Sequence, residues 1–394
     1  MSYMWIETEN VPKVSDREPL LLFGAGEGSV ELLRYFEEQL VCPQVIAVAD
    51  NDRSMWGREF VGVSIIDPAE ILDRLCPFPS CRIIITTVSG RDAVAAQLEA
   101  MGLCEGRNFV KVGCYPSNAM DNLRSLLDAD AKHGFLANKH RVLHVGPGGF
   151  LGLECALCAL GYEARAIDAF GFSMRYPDVS EVQAKYTEAK SQFLAMAGCY
   201  GRDPVEMKKN WEALFLTHQD QCLLDTRSID YLYPYLFSEL PLEGESVDVV
   251  LSFDVLEHVR RPKETADEIL RVLRPGGFCF HRILTRDHRS FSVVDGYTPV
   301  SYAQYSSEGW DAVNSERFYQ NRILPFQWEE LFKQKGFEVL AHTVLDHYGV
   351  PDAEYASAHA SFRTFPRERL EEVNCKQLLR KPVGGCKAPA SGGV

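Results

Sequence analysis

The chain has 394 residues, 46% of them hydrophobic, and a formal net charge of −14. That length suits two domains with a core each. The acidic balance leaves no broad basic surface for a phosphate backbone and so argues against a nucleic-acid binder. No apolar run reaches membrane-spanning length, and the opening "MSYMWIETENVPK" lacks the basic-then-apolar layout of a signal peptide. A cytoplasmic protein without a membrane partner is therefore expected.

In chain order, "PLLLFG" (19–24), "QVIAVAD" (44–50) and "CRIIITTV" (81–88) read as buried parallel strands. The helix-period segments "SVELLRYFEEQL" and "RDAVAAQLEAMGL" separate them, and "FVKVG" (109–113) closes the series. This alternation predicts a first doubly wound α/β domain over 1–114. Residues 115–138 read as a linker helix capped at Ser117 or Asn118. A second series opens at "RVLHVG" and runs through "EARAIDA" (163–169), "SVDVVLSF" (246–253) and "GFCFHRIL" (277–284). It forms a second domain over 139–374. "FEVLAHTVL" (337–345) and "ASAHASFRTF" (356–365) read as an antiparallel pair at its sheet edge. The tail 375–394, rich in Gly, Pro and Ser, reads as disordered.

The twelve cysteines are scattered. Cys81 and Cys279 fall in strand-like runs and read as reduced core thiols. Cys155 and Cys158 form a CxxC inside a helical pattern. No second pair completes a zinc set, so no metal site is assigned.

Two glycine turns carry the chemistry. In "VLHVGPGGFLGLE" (142–154), Gly146, Gly148 and Gly149 miss the G-x-G-x-x-G spacing of a pyrophosphate loop. They do supply a strand-to-helix turn without side chains, which S-adenosylmethionine needs along its methionine part and ribose. Asp168, ending the next strand, can accept both ribose hydroxyls, although a glycine turn with a strand-end Asp also fits other doubly wound folds. In "FGAGEGS", Gly24 and Gly26 are spaced for a nucleotide loop, and Asp50 stands where a ribose-binding acid would.

Downstream, "SVDVVLSFDVLEHVRRPKETADEILRVLRPGGF" (246–278) resembles the class I S-adenosylmethionine-dependent methyltransferases of the UbiE/type-11 kind. The resemblance rests on Asp248, Leu256–Glu257–His258–Val259, Pro262 and Arg271–Gly277, in order after Gly146 and Asp168. It covers about 139–365. It implies a seven-stranded doubly wound sheet with an antiparallel edge strand. It also implies a cofactor pocket made by Gly146, Gly148, Gly149, Asp168, Ser252 and Asp254. Two departures stand out. His144 occupies the position where the family carries an acid, and Phe150 the place of the third glycine, although Gly152 fits a G-P-G-x-x-L-G variant. Asp230 is a loose fit to an adenine-contacting acid.

The first unit resembles the small Rossmann domains attached to sugar-modifying enzymes and acyltransferases. The matching residues are Gly24–Gly28, Asp50–Asp52, Trp56–Gly57, Gly62 and Pro68. That resemblance implies a nucleotide or nucleotide-sugar ligand at Gly24, Gly26 and Asp50, or a scaffold that only supports assembly.

The resemblance implies methyl transfer to the O or N of a small molecule, a sugar or natural-product intermediate. Ligands of doubly wound sheets lie at the carboxyl ends of the strands. The candidates for a general base there are His288, supported by Asp287, then His258 and His281. His281 also reads as a core histidine. Residues 286–327 form an aromatic insertion whose Asn321 and Arg322 are candidate substrate contacts. The alternatives are a non-catalytic S-adenosylmethionine- or nucleotide-binding assembly module and a bifunctional NAD-dependent oxidoreductase. For the latter only Tyr186 and Lys190 have Tyr-x-x-x-Lys spacing, inside the second series. Self-association into a homo-oligomer stays open.

Overall fold

The computed structural model describes residues 6, 10–87, 91–113, 119–170, 179–218, 221–224, 229–291, 296–314 and 319–383. The chain divides into two compact units. One comprises residues 1–117 together with 287–298, and the other 118–286 with 299–394. No helix among the described residues is long and apolar enough to cross a membrane.

The first unit holds β1 (Pro19–Phe23), β2 (Gln44–Ala49), β3 (Glu59–Phe60), β4 (Val63–Ile66), β5 (Arg82–Ile85) and β6 (Phe109–Lys111). They form one sheet in the order β3-β4-β2-β1-β5-β6. All neighbours run parallel except the short β3–β4 pair. Its central strands are apolar throughout because helices cover both faces.

The second unit contains β7 (Arg141–Val145), β8 (Glu163–Ile167), a hairpin of β9 (Phe215–His218) and β10 (Gln221–Leu224), β11 (Asp230–Leu232), β12 (Val247–Phe253), β13 (Leu273–Ile283), β14 (Glu338–His347) and β15 (Glu372–Arg380). Its seven-stranded sheet has the order β11-β8-β7-β12-β13-β15-β14. β15 lies antiparallel between β13 and β14. This is the class I methyltransferase sheet that the resemblance implies. All seven residues of β12 are buried, Asp248 among them. Its carboxylate accepts from the amides of His140 and Arg141 at 3.1 and 3.0 Å. That tie locks the start of β7 to the start of β12, at the end of the sheet away from the glycine turn.

Three expectations are corrected here. The helix Ala119–His133 is no free linker, because Met120, Leu123 and Leu126 are buried in the same core as Val142 and Phe193. Its proposed caps, Ser117 and Asn118, lie outside the described residues. The 356–365 segment is helical, with helices Asp352–Ser357 and Ala360–Arg363. Its alanines favour helix over strand. The partner of β14 is β15 instead, built from residues 372–380. Residues 375–380 thus leave the tail and enter the sheet, burying Cys375, Gln377, Leu378 and Leu379. The rest of the tail, from 384, lies outside the described residues.

Candidate cofactor site and strand ends

The second glycine turn follows β7. Gly146 has φ 75° and Gly148 φ 72°, values that disfavour any side chain. A Cβ on Gly146 would stand 2.4 Å from Val255 Cγ2, whereas one on Gly148 would meet nothing within 4 Å. The turn is thus closed on one side and open on the other. Gly149 is half-buried in the same turn. Gly146 N donates to Ile167 O at 2.8 Å, which brings the turn against the end of β8.

Asp168 follows β8 and is 6% exposed. Its Oδ1 accepts from Phe170 N at 3.0 Å. Burial pushes its pKa up to about 6, although amide donors at Phe170, Gly148 and Ala169 and the charge of His144 pull the other way. A buried carboxylate beside an open, side-chain-free turn suits the ribose and methionine parts of S-adenosylmethionine. Exposed aromatics surround this end: Phe170, Tyr233 and Tyr235. Tyr235 N donates to Asp168 O at 3.0 Å. Asp230 sits upstream on β11, where it pairs with Arg165 at 2.7 Å.

The family acid's position holds His144, and a carboxylate arrives from elsewhere. His144 Nδ1 lies 2.5 Å from Glu154 Oε1, on the helix Gly152–Ala159. Both side chains are buried. Glu154 was not anticipated. The only signal for it was an acid in the otherwise apolar "GFLGLECALCALG".

At the ends of β12 and β13, Ser252 Oγ and His281 Nδ1 are 2.7 Å apart. Both are fully buried. His281 stacks on Phe332, and burial lowers its pKa to about 3. It is a neutral core histidine, and Ser252 is its partner. Asp254, with φ 57°, forms a two-pronged ion pair with Arg282, Oδ1 accepting from Nε at 2.8 Å. Glu257, part of the run that carries the resemblance, was not among the candidate site residues. It is fully buried, accepts from Leu284 N at 3.3 Å and is driven toward its neutral form by burial and by Asp254.

His258 lies in the turn Leu256–His258 after β12. Its Nδ1 is 2.7 Å from Tyr319 O, so the proton belongs on Nδ1 and Nε2 is left as acceptor. The ring keeps solvent-facing surface, yet desolvation by the protein around it lowers its pKa. Asn321 secures this turn, with Nδ2 donating to Leu256 O and Val259 O at 2.7 and 3.1 Å. Arg322 donates to Tyr302 O and Tyr305 O at 3.2 and 2.6 Å and lies against the rings of Trp310 and Phe362. Both side chains are therefore engaged inside the protein. They still border a cavity of about 360 Å³ with Trp310, Tyr319, Phe362 and Phe365. Much of the aromatic insertion is core: Tyr302 and Trp310 are buried with Leu324, Val350 and Leu370.

Asp287 and His288 group with the first unit. Asp287 is fully buried and its carboxylate holds Arg289, through Nε at 3.0 Å and Nη2 at 2.7 Å.

In the first unit, Gly24 has φ 118°, and a Cβ there would stand 2.8 Å from Thr87 N. A Cβ on Gly28 would stand 2.3 Å from Thr86 O. Nothing lies within 4 Å of such an atom at Gly26. Asp50 Oδ2 accepts from Ala25 N at 2.8 Å and Oδ1 from Asp52 N at 2.9 Å.

Of the residues with a reductase-like spacing, Lys190 pairs with Glu212 at 2.6 Å. Tyr186 packs on Phe150 and Phe215 with ring centroids at 4.6 and 5.2 Å. Cys155 and Cys158 lie on the helix Gly152–Ala159, and burial raises both thiols' pKa values.

A family model described as "Methyltransferase domain" matches residues 221–281, from β10 to His281. The glycine turn and Asp168 lie outside that match. An uncharacterized methyltransferase of Mycobacterium ulcerans is 58% identical over 38 residues, 10% of this chain and 15% of the relative. One from Mycobacterium avium is 55% identical over a stretch of the same length and coverage. The chain thus matches about 15% of the length of these relatives. Among solved structures, a Methanosarcina mazei SAM-dependent methyltransferase aligns over 64% of this chain and 98% of its own, with 11% identity and a TM-score of 0.36. A Haloferax volcanii methyltransferase complex with the activator Trm112 aligns over 68% and 96%, with 17% identity and a TM-score of 0.35.

Proposed function

We propose that this chain is an S-adenosylmethionine-dependent methyltransferase that modifies the O or N of a small molecule. The observation carrying this reading is the pairing of an open glycine turn with a desolvated carboxylate, at the carboxyl ends of parallel strands. The methyltransferase match on the neighbouring strands supports it. Gly146 and Gly148 would let the backbone approach the cofactor's methionine part, and Asp168 would accept the ribose hydroxyls. When bound, the cofactor supplies a methyl group already activated by its sulfonium.

The protein's tasks are then to align the acceptor and take its proton. His258 is the group we assign to the second task. It follows β12, Tyr319 O fixes its tautomer, and its lowered pKa keeps Nε2 unprotonated near neutral pH. The aromatic cavity beside Asn321 is our candidate for the acceptor, with rings suited to stacking on a sugar or flat molecule.

We read the first unit as a scaffold. Gly24 and Gly28 make room for Thr87 and Thr86, and the amides of Ala25 and Asp52 donate to its acid.

Calorimetry with S-adenosylhomocysteine tests the cofactor assignment, and absence of binding to the intact chain overturns it. His258→Ala should lower turnover about 10²–10⁴-fold with cofactor affinity nearly unchanged. Unchanged turnover would remove His258 from that role.

A further inference from the structure

The cavity beside Asn321, about 360 Å³, has room for a small molecule. Trp310, Tyr319, Phe362 and Phe365 give it aromatic walls. Among the described residues that line it, Arg322 is the one cation and Asp311 the one carboxylate. Arg322 is half-buried, and no carboxylate among the described residues pairs with it. An arginine stays charged near neutral pH even where burial lowers its pKa, as it does here.

The hydrogen bonds of the guanidinium show which edge is spare. Nη1 donates to Tyr302 O and Tyr305 O at 3.2 and 2.6 Å, which uses both of its N–H groups. Nη2 has a long 3.5 Å contact to Ser307 Oγ, and Nε donates to nothing among the described residues. Ser307 lines the cavity and the two tyrosines do not, so the Nη2 edge is on the cavity side. Two backbone carbonyls thus fix the plane of the group and leave its Nε–Nη2 fork unspent. That fork matches two oxygens of a carboxylate or phosphate.

The other polar groups of the wall point the same way. Asn321 is spent, with Nδ2 on Leu256 O and Val259 O and Oδ1 accepting from Ile323 N. Gln327 Oε1 accepts from Leu324 N at 3.0 Å, which leaves the amide N–H groups as donors. Arg260 lies 4.3 Å from the centre of the Tyr319 ring and adds positive charge behind it. Apart from the exposed Asp311 and two serine hydroxyls, the wall offers donors and positive charge. We propose that this cavity takes an oxyanion-bearing ring compound, its carboxylate or phosphate held by the Arg322 fork and its ring packed against the aromatic walls. The inference rests on the acceptor reading above and narrows it to acidic small molecules.

The test titrates the full chain with phenyl phosphate, benzoate and, as the uncharged control, benzyl alcohol, followed by NMR at the indole N–H of Trp310. Both anions should bind about tenfold more tightly than the alcohol. Arg322→Gln should remove that advantage and leave the alcohol unchanged. Arg322→Lys keeps the charge, loses the fork and should fall between. If Arg322→Gln fails to fold, the exposed Asp311 gives an independent reading. Asp311→Asn removes a nearby negative charge and should tighten both anions about two- to fivefold at low salt. Anions that bind no better than the alcohol overturn the proposal. So does an anion affinity that a folded Arg322→Gln, or in its place Asp311→Asn, fails to move. Arg322-dependent anion binding in a chain that binds no S-adenosylhomocysteine keeps the site and loses the methyltransferase reading. Binding of S-adenosylhomocysteine without preference for the anions does the reverse.

Discussion

Two glycine turns, each after the first strand of a parallel sheet and each followed by an acid at the end of the second strand, have different neighbours. In the first unit, Gly28 faces Thr86 O and Gly24 faces Thr87 N, both closer than a Cβ allows. Asp50 receives the amides of Ala25 and Asp52, one on each oxygen. In the second unit Gly148 faces open space, and Asp168 is buried deeply enough that burial dominates its ionisation. The same sequence signature thus builds a packing joint in one case and a candidate binding site in the other. Each turn has an open glycine, Gly26 in the first and Gly148 in the second, so what separates them is the acid: Asp168 is buried and burial dominates its ionisation, whereas Asp50 is only half-buried.

The comparison breaks most sharply on the two acids. Asp168→Ala should weaken S-adenosylhomocysteine binding by about 1.5–3 kcal/mol, the range of a charge-assisted hydrogen bond. Asp50→Ala should leave that affinity unchanged by calorimetry. Equal losses would mean that the first turn also serves the cofactor.

The glycines sharpen it next. Gly28→Ala should destabilise the first unit by about 1–3 kcal/mol, because backbone at Thr86 has to yield. Gly148→Ala has room and should cost only about 1 kcal/mol of left-handed backbone strain. Denaturant titrations of the intact chain compare the two, and a reversed order would place the crowded turn in the wrong unit.

A smaller effect follows from the charge of Asp168. Its folded pKa, about 6, lies above the ordinary value of 3.8, so the folded state binds its proton more tightly than the unfolded one. This contribution to stability is complete below about pH 4 and is lost as pH rises through about 6. Asp168→Asn carries no such loss. It should be more stable than the wild type by about 1–2 kcal/mol at pH 7, less than the full shift because its amide accepts weaker hydrogen bonds. The advantage should vanish below pH 4. Thermal melts across that range check it, and a variant less stable at pH 7 would mean that the carboxylate is favoured where it stands.

Much of the fold was legible. Apolar runs of strand length, alternating with helical patterns, gave β1, β2, β5, β7, β8, β12 and β13, because parallel strands covered on both faces are apolar throughout. The glycine turn at 146–149 and Asp168 were readable because a turn and a strand end are local events. β15 was not. "CKQLLR" has no strong local preference, and it becomes a strand because it fills the gap between β13 and β14. The aromatic insertion was read for its substrate contacts, but Tyr302 and Trp310 are buried because residues from 350–373 close over them.

By itself the sequence determined two parallel α/β sheets, two glycine turns and the ordered run from Asp248 to Gly277, since hydrophobic period and turn chemistry act over a few residues. Tertiary structure alone decided which polar side chains remain available. Ser252 is taken by His281, Asp254 by Arg282 and Asp50 by Ala25. It also brought Glu154 to His144, ten positions apart in the chain and 2.5 Å apart in the fold. Hydrogen bonds between buried groups depend on register and helix packing, which join residues that no local pattern links.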